Sequence, residues 1–278
     1  MPPPLTEPGV VKPPSLPELP GFQAVDHPGI RVLAREEAVP WVRYVLEGGQ
    51  SLHVAAGSHR DAFVLDGREP VYVIPAKLSG EQAVTAGGRW AVRRFARGGR
   101  ILPRLLGDRY LRVGSYRPMH EAQVSEGARA RGIPTPRVIA AAVLLGRLFY
   151  QGELVTELVP QATDLVESIF DTRRKGAAGA AERLDALKAS GTLVRTMAQA
   201  GLRHRDLHAG NVLLQWEGIA PRALILDLDL ATLLPDGTHA PRLPMLSRLR
   251  RSLRKWEGRT GLRLSEREWT TLDEAVMG

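Results

Sequence analysis

No cysteine occurs among the 278 residues, which excludes a disulfide framework and any thiolate metal site. Aromatic residues make up only 5% of the chain, and no stacking platform or recognised nucleic-acid module stands out, so nucleic acid is not the expected partner despite the basic balance. Long apolar runs are also missing. The longest stretch, Val138 to Leu145, falls far short of the ~20 residues of a membrane-spanning helix. The chain starts Met1-Pro2-Pro3-Pro4 with Glu7 close behind. That lacks the basic-then-apolar order of a secretory leader, and a cytoplasmic protein is expected. Lysine is scarce too, at five of 38 basic residues.

Arginine is plentiful and unevenly placed. The formal charge is +8, and residues 89–117 alone hold nine arginines against Asp108. Residues 242–263 hold eight basic residues against Glu257, so the remainder is acidic. Segregation of this kind points to anionic partners at two places. A composition of 44% hydrophobic and 24% charged residues is that of a globular chain with one large core or two lobes.

The pattern divides the chain. Residues 1–20 carry eight prolines and no periodicity, which predicts a disordered tail. Residues 21–70 form an extension of no legible role, with a short helix expected over Arg35 to Leu46 and strand-like runs at Leu52 to Val54 and Ala62 to Leu65. Residues 71–156 are strand-rich, with strands expected at 71–74, 83–85, 90–95, 138–145 and 148–158 and a helix over Met119 to Ala130. Residues 157–278 are mainly helical. The fold class is α+β, a small antiparallel-sheet N-lobe followed by a larger helical C-lobe.

Chemistry concentrates in His204-Arg205-Asp206-Leu207-His208-Ala209-Gly210-Asn211 and in Leu224-Ile225-Leu226-Asp227. These match the catalytic loop H-R-D-L-x-x-x-N and the metal-binding Asp of a protein-kinase-like two-lobed fold. Phosphoryl transfer needs one carboxylate to receive the acceptor's proton, and a carboxylate with an amide oxygen to hold Mg²⁺ on ATP. Asp206 takes the first role; Asn211 and Asp227 take the second. Upstream, Trp90-Ala91-Val92-Arg93 has the shape of the nucleotide-binding strand, with arginine in the lysine slot. Alternation puts Ala91 and Arg93 on one face, the small residue leaving room for adenine and the cation reaching phosphate. Glu121, 28 residues on, is the carboxylate expected to orient Arg93. Lys77 is the alternative cation, Gly80 the one glycine of a weak phosphate loop, and Glu157 and Val159 the hinge positions whose backbone would pair with adenine.

On these residues the chain resembles the bacterial lipopolysaccharide core kinases, within them the 3-deoxy-D-manno-octulosonic acid (Kdo) kinases. The matching pieces include Trp90 to Gly99, Asp108 to Leu111, Gly132 to Pro136, Tyr150 to Leu165, His204 to Leu214 and Leu249 to Lys255. The resemblance implies ATP and Mg²⁺ as cofactors and phosphorylation of a Kdo hydroxyl in the lipopolysaccharide inner core. It also implies peripheral work at the cytoplasmic face of the inner membrane, on a lipid-linked acidic sugar. Arg94, Arg97 and Arg100 suit the carboxylate and phosphate of such an acceptor. Leu228 stands where kinases have Phe, and Asp229, in place of Gly, fits this family and not protein kinases. Two other readings share the motifs: a kinase-fold enzyme with another small-molecule or protein acceptor, and a non-catalytic basic module on acidic membranes, with Leu249, Leu253 and Trp256 as the apolar face of a membrane helix.

Overall fold

The computed structural model describes residues 16–65, 70–76, 88–95, 109–111, 115–171, 177–216, 218 and 220–278. Lys77, Gly80, Arg97, Arg100 and the strand expected at 83–85 lie outside them, as do residues 1–15 of the expected tail.

The N-terminal half is built on one antiparallel sheet. Its strands are β1 (Phe22–His27), β2 (Ile30–Arg35), β3 (Phe63–Leu65), β4 (Val71–Pro75), β5 (Arg89–Arg94), β6 (Tyr110–Leu111), β7 (Val138–Leu145) and β8 (Phe149–Glu157). The order is β1-β2-β7-β8-β5-β4-β3, with β6 also paired to β8. The segment 21–65, of no legible role in the sequence, therefore gives β1, β2 and β3 to this sheet: β2 pairs with β7 from Ile30↔Leu144 to Ala34↔Ala140.

Helices cover both faces. On one side α1 (Val39–Glu47) and α2 (Leu52–Gly57) pack Trp41, Leu46 and Leu52 against Trp90, Val92, Ile139 and Val155. On the other, α3 (Arg117–Ala130) brings Tyr116, Met119 and Ala122 against Ala141, Val143 and Leu154. Burial on both sides explains why 138–145 reads as an unbroken apolar run instead of an alternating one.

Two local expectations are corrected. Leu52 to Val54 is helical, not a strand: the Ser51 hydroxyl accepts the Val54 amide at 3.3 Å and caps α2. Arg35 closes β2, and the helix expected from it starts at Val39 after a single 3₁₀ turn.

The C-terminal half contains β9 (Ala162–Asp164), α4 (Leu165–Phe170), α5 (Ala177–Gln199), β10 (Leu202–His204), β11 (Val212–Trp216), β12 (Pro221–Ile225), β13 (Ala231–Leu233), α6 (Arg242–Thr260) and α7 (Glu266–Met277). Leu187, Met197, Leu207, Ile225, Leu249, Leu253 and Leu272 form its core. Leu249 and Leu253 are fully buried, so these two residues of the α6 stripe pack into the core. No helix among the described residues is long and apolar enough to cross one.

Candidate active site

The H-R-D segment connects β10 to β11, and its geometry is held by backbone groups. His204 is buried, and burial pushes its pKa below the usual 6.5. Its Nδ1 accepts the Asp206 amide at 3.2 Å, which leaves the proton on Nε2, 3.4 Å from the Leu226 carbonyl. The Leu226 amide in turn donates to the Asn211 carbonyl at 2.8 Å, and Asn211 Nδ2 donates to the Asp206 carbonyl at 3.3 Å. The loop bearing Asp206 and Asn211 is thereby clasped to the strand end that delivers Asp227. Asp206 itself is exposed.

Asp227 has left-handed backbone angles, φ 58° and ψ 65°. A non-glycine residue held there is strained, and strain of this kind collects at functional sites. Above it, β5 and α3 supply a charge pair. Arg93 Nη2 donates to Glu121 Oε2 at 2.5 Å and stands 3.7 Å from Asp227 Oδ1. Burial pushes the Glu121 carboxyl up to about 7 against the pull of Arg93, with Asp227 and Asp229 adding to the rise. Burial works against the Arg93 charge, yet Glu121 and Asp227 outweigh it and raise the Arg93 pKa. The other Glu121 oxygen accepts the Leu228 amide at 3.3 Å. One carboxylate thus ties β5, α3 and the Asp227 loop together.

A cavity of about 500 Å³ lies between the two halves, lined by Ala91, Arg93, Glu121, Thr156, Leu213, Leu226, Asn211 and Asp227, and by the crossover Glu157 to Gln161. At that crossover the Glu157 amide is taken by the Arg137 carbonyl at 2.9 Å and the Leu158 amide by Arg89 at 2.8 Å. Glu157 therefore offers its carbonyl alone, while the Val159 amide has no backbone partner among the described residues.

The fold brings Ala91, Arg93, Glu121, Glu157, Val159, Asn211 and Asp227 to one cavity, with Asp206 beside it. Arg94 is not among them. It shares a face with Trp90 and Val92, away from the cavity, and its Nη2 lies 3.3 Å from buried Glu153. Glu153 also accepts the His53 amide at 3.0 Å, so Arg94 joins β5 to β8 and α2.

The model of the lipopolysaccharide kinase (Kdo/WaaP) family matches residues 77–275. The chain belongs to this family. Among its relatives, the 3-deoxy-D-manno-octulosonic acid kinase of Haemophilus influenzae (strain ATCC 51907 / DSM 11121 / KW20 / Rd) is 28% identical over 189 residues, 66% of this chain and 74% of the relative. The Xanthomonas axonopodis pv. citri (strain 306) protein of the same name is 30% identical over 190 residues, 68% of this chain and 71% of its own length. A solved structure, WaaP in complex with acyl carrier protein, superposes with a TM-score of 0.50 at 18% identity, covering 89% of this chain and 88% of that one. The kinase-like fold is thus shared.

Within this lipopolysaccharide kinase family member, several structural residues escaped sequence reasoning. Arg117 Nη1 lies 2.9 Å from Asp229 Oδ2, and His120 Nε2 lies 3.0 Å from the Ala231 carbonyl. The Ala209 amide, inside the H-R-D loop, donates to the Ser252 hydroxyl at 3.1 Å. Ser252 had a signal, since it sits in the Arg251-Ser252-Leu253-Arg254-Lys255 segment that carried the resemblance. Arg117 had none, because its partner is 112 positions away.

Proposed function

We propose that the protein transfers the γ-phosphoryl group of ATP to a hydroxyl of Kdo in the lipopolysaccharide inner core, at the cytoplasmic face of the inner membrane. One observation carries the proposal. The Arg93–Glu121 pair reaches Asp227 across a cavity whose other wall is clasped to the Asp206 loop. The relatives named as Kdo kinases supply the acceptor.

Adenine enters beside Ala91, its edge meeting the Glu157 carbonyl and the Val159 amide. Arg93 holds the α and β phosphates, and Glu121 fixes its direction; a guanidinium offers a planar fork there where lysine offers a point charge. At the inner end the donor set fits Mg²⁺. Asp227 brings a carboxylate, and Asn211 keeps Oδ1 free because Nδ2 is engaged with Asp206. Two hard oxygen donors leave the remaining positions to phosphate and water, the usual Mg²⁺ arrangement on a nucleotide. Bound there, the ion would neutralise charge on the transferred phosphoryl group. Asp206, exposed at the mouth, receives the proton of the sugar hydroxyl as it attacks.

The test is to incubate the protein with ATP, Mg²⁺ and a Kdo-bearing lipid A precursor. The expected product is heavier by one phosphoryl group in the Kdo fragment on mass spectrometry. A wild-type protein that binds ATP and yields no such product would remove the reading.

A further inference from the structure

Among the described residues, the polar side chain by which helix α6 meets the catalytic loop is that of Ser252, its hydroxyl accepting the Ala209 amide at 3.1 Å. Ala209 is three residues past Asp206. At about 100° per residue, Leu249, Leu253 and Leu246 fall within about 120° on one side of Ser252. All three are buried in the C-terminal core. On the other side, Arg248, Lys255 and Arg251 fall within about 100°, and all three are exposed. The remaining arginines of this stretch behave differently. Arg250 pairs with Asp273 at 2.6 Å, and Arg250 and Arg254 both lie over the Trp269 ring, on the flank turned to α7.

The helix thus sorts its cations. Those facing α7 are used in packing, whereas Arg248, Arg251 and Lys255 have no acidic partner among the described residues. Three cations within about a turn of the point where α6 touches the Asp206 loop put positive charge beside that loop. Guanidinium and ammonium groups in that setting suit carboxylate and phosphate.

We propose that Arg248, Arg251 and Lys255 form the anion-binding rim for the acceptor, holding a carboxylate or phosphate group of the substrate while its hydroxyl faces Asp206. This rests on the phosphotransfer reading above and extends it to the residues that select the acceptor. The membrane role first open to this segment is not the one favoured: its apolar stripe is buried, and its free cations cluster where α6 meets the loop.

The experiment uses the full chain with Arg248→Gln, Arg251→Gln and Lys255→Gln combined, and a Kdo-bearing lipid A precursor dispersed in non-ionic detergent. Equilibrium binding of the lipid and steady-state phosphorylation are measured side by side. The expected result is a loss of acceptor affinity and a rise in acceptor KM on the order of tenfold or more, with the KM for ATP and the thermal midpoint unchanged. A dephosphorylated precursor separates the sources: a defect seen only with the phosphorylated lipid assigns the rim to phosphate, and one seen with both assigns it to the sugar carboxylate. Equal lipid binding by variant and wild type would overturn the proposal. So would a defect confined to vesicles of anionic phospholipid, which would make the rim a membrane contact. A wild type that binds the lipid rim-dependently yet transfers no phosphate would sink the phosphotransfer reading and leave the rim standing.

Discussion

Asp206 and Asn211 share one loop but play separable parts. Asp206 is exposed, its carboxylate has no hydrogen-bond or ion-pair partner among the described residues, and it stands apart from the Arg93–Glu121–Asp227 chain. Removing its charge should therefore spare nucleotide binding. For Asp206→Asn we expect kcat to fall by about 10²- to 10⁴-fold, the range of a general base, with ATP affinity retained in a fluorescence titration. Equal activity of variant and wild type would contradict the assignment. These candidate residues could be picked out because phosphoryl transfer confines its groups to short motifs, where the spacing is itself the chemistry. Arg93 and Glu121 were legible for a different reason, as a small-x-cation strand and a later helical carboxylate. Arg94 shows the limit: the basic run marked it as substrate-facing, but strand alternation turns it to Glu153.

Strands and helices were legible where both faces of an element are covered. β7 stood out as an apolar run, β8 as the strand after the Gly146-Arg147 turn, and α3 as a segment closed by Gly132 and Pro134. α2 did not, since three residues of Leu-His-Val carry no period and the Ser51 cap decides the outcome. β2 gains meaning only through pairing with β7, over a hundred positions away, and β1 through pairing with β2, and nothing local announces the long-range pairing. The same long-range contacts yield two predictions. A Cβ on Gly152 of β8 would come within 2.5 Å of the Pro118 ring at the start of α3. Gly152→Ala should then displace the helix that carries Glu121, destabilising the protein by about 1–3 kcal/mol and raising the KM for ATP. Urea unfolding and steady-state kinetics report the two effects.

The second concerns α7, which opens on a reciprocal cap: Ser265 accepts the Glu268 amide while Glu268 accepts from the Ser265 amide at 2.7 Å. Burial opposes the Glu268 charge, but the Ser265 bonds and Arg183 at 2.7 Å prevail and hold its pKa below the usual 4.5. A carboxyl depressed on folding binds its proton more weakly in the folded state. Its stabilisation is complete above the unfolded value near 4.5 and is lost as the pH falls through the lower folded value. Glu268→Gln should cost about 1–3 kcal/mol at pH 7 and shrink that cost on acidification, as urea midpoints at pH 7 and pH 3.5 would record. An undiminished cost in acid would show that the loss is packing, not charge.

At the scale of the molecule, α3 works as the bolt between the two halves. It lies against the N-terminal sheet, yet its polar side chains reach the other half. Arg117 meets Asp229, His120 meets the Ala231 carbonyl, Glu121 accepts the Leu228 amide, and Arg131 donates to the Ala200 and Leu234 carbonyls at 3.1 and 2.8 Å. Three of these four fall on residues 228–231, directly after the proposed metal ligand Asp227, so the placement of Asp227 depends on the seating of α3. Asp229, where protein kinases have glycine, has a structural part in this chain: its carboxylate is the anchor for Arg117, and burial with the nearby Asp227 charge raises its pKa. Removing Arg117 leaves Asp229 beside Asp227 without its strongest local cation. We therefore expect Arg117→Ala to weaken Mg²⁺-dependent turnover about 10-fold or more, on the basis that a half-buried charge pair broken from one side loses roughly 1.5–3 kcal/mol. Arg117→Lys should restore part of it. Hydrogen exchange distinguishes the bolt from a local effect: amides of α3 and of residues 228–233 should lose protection together, and protection lost at residue 229 alone would mean that the pair fixes one side chain and not the joint.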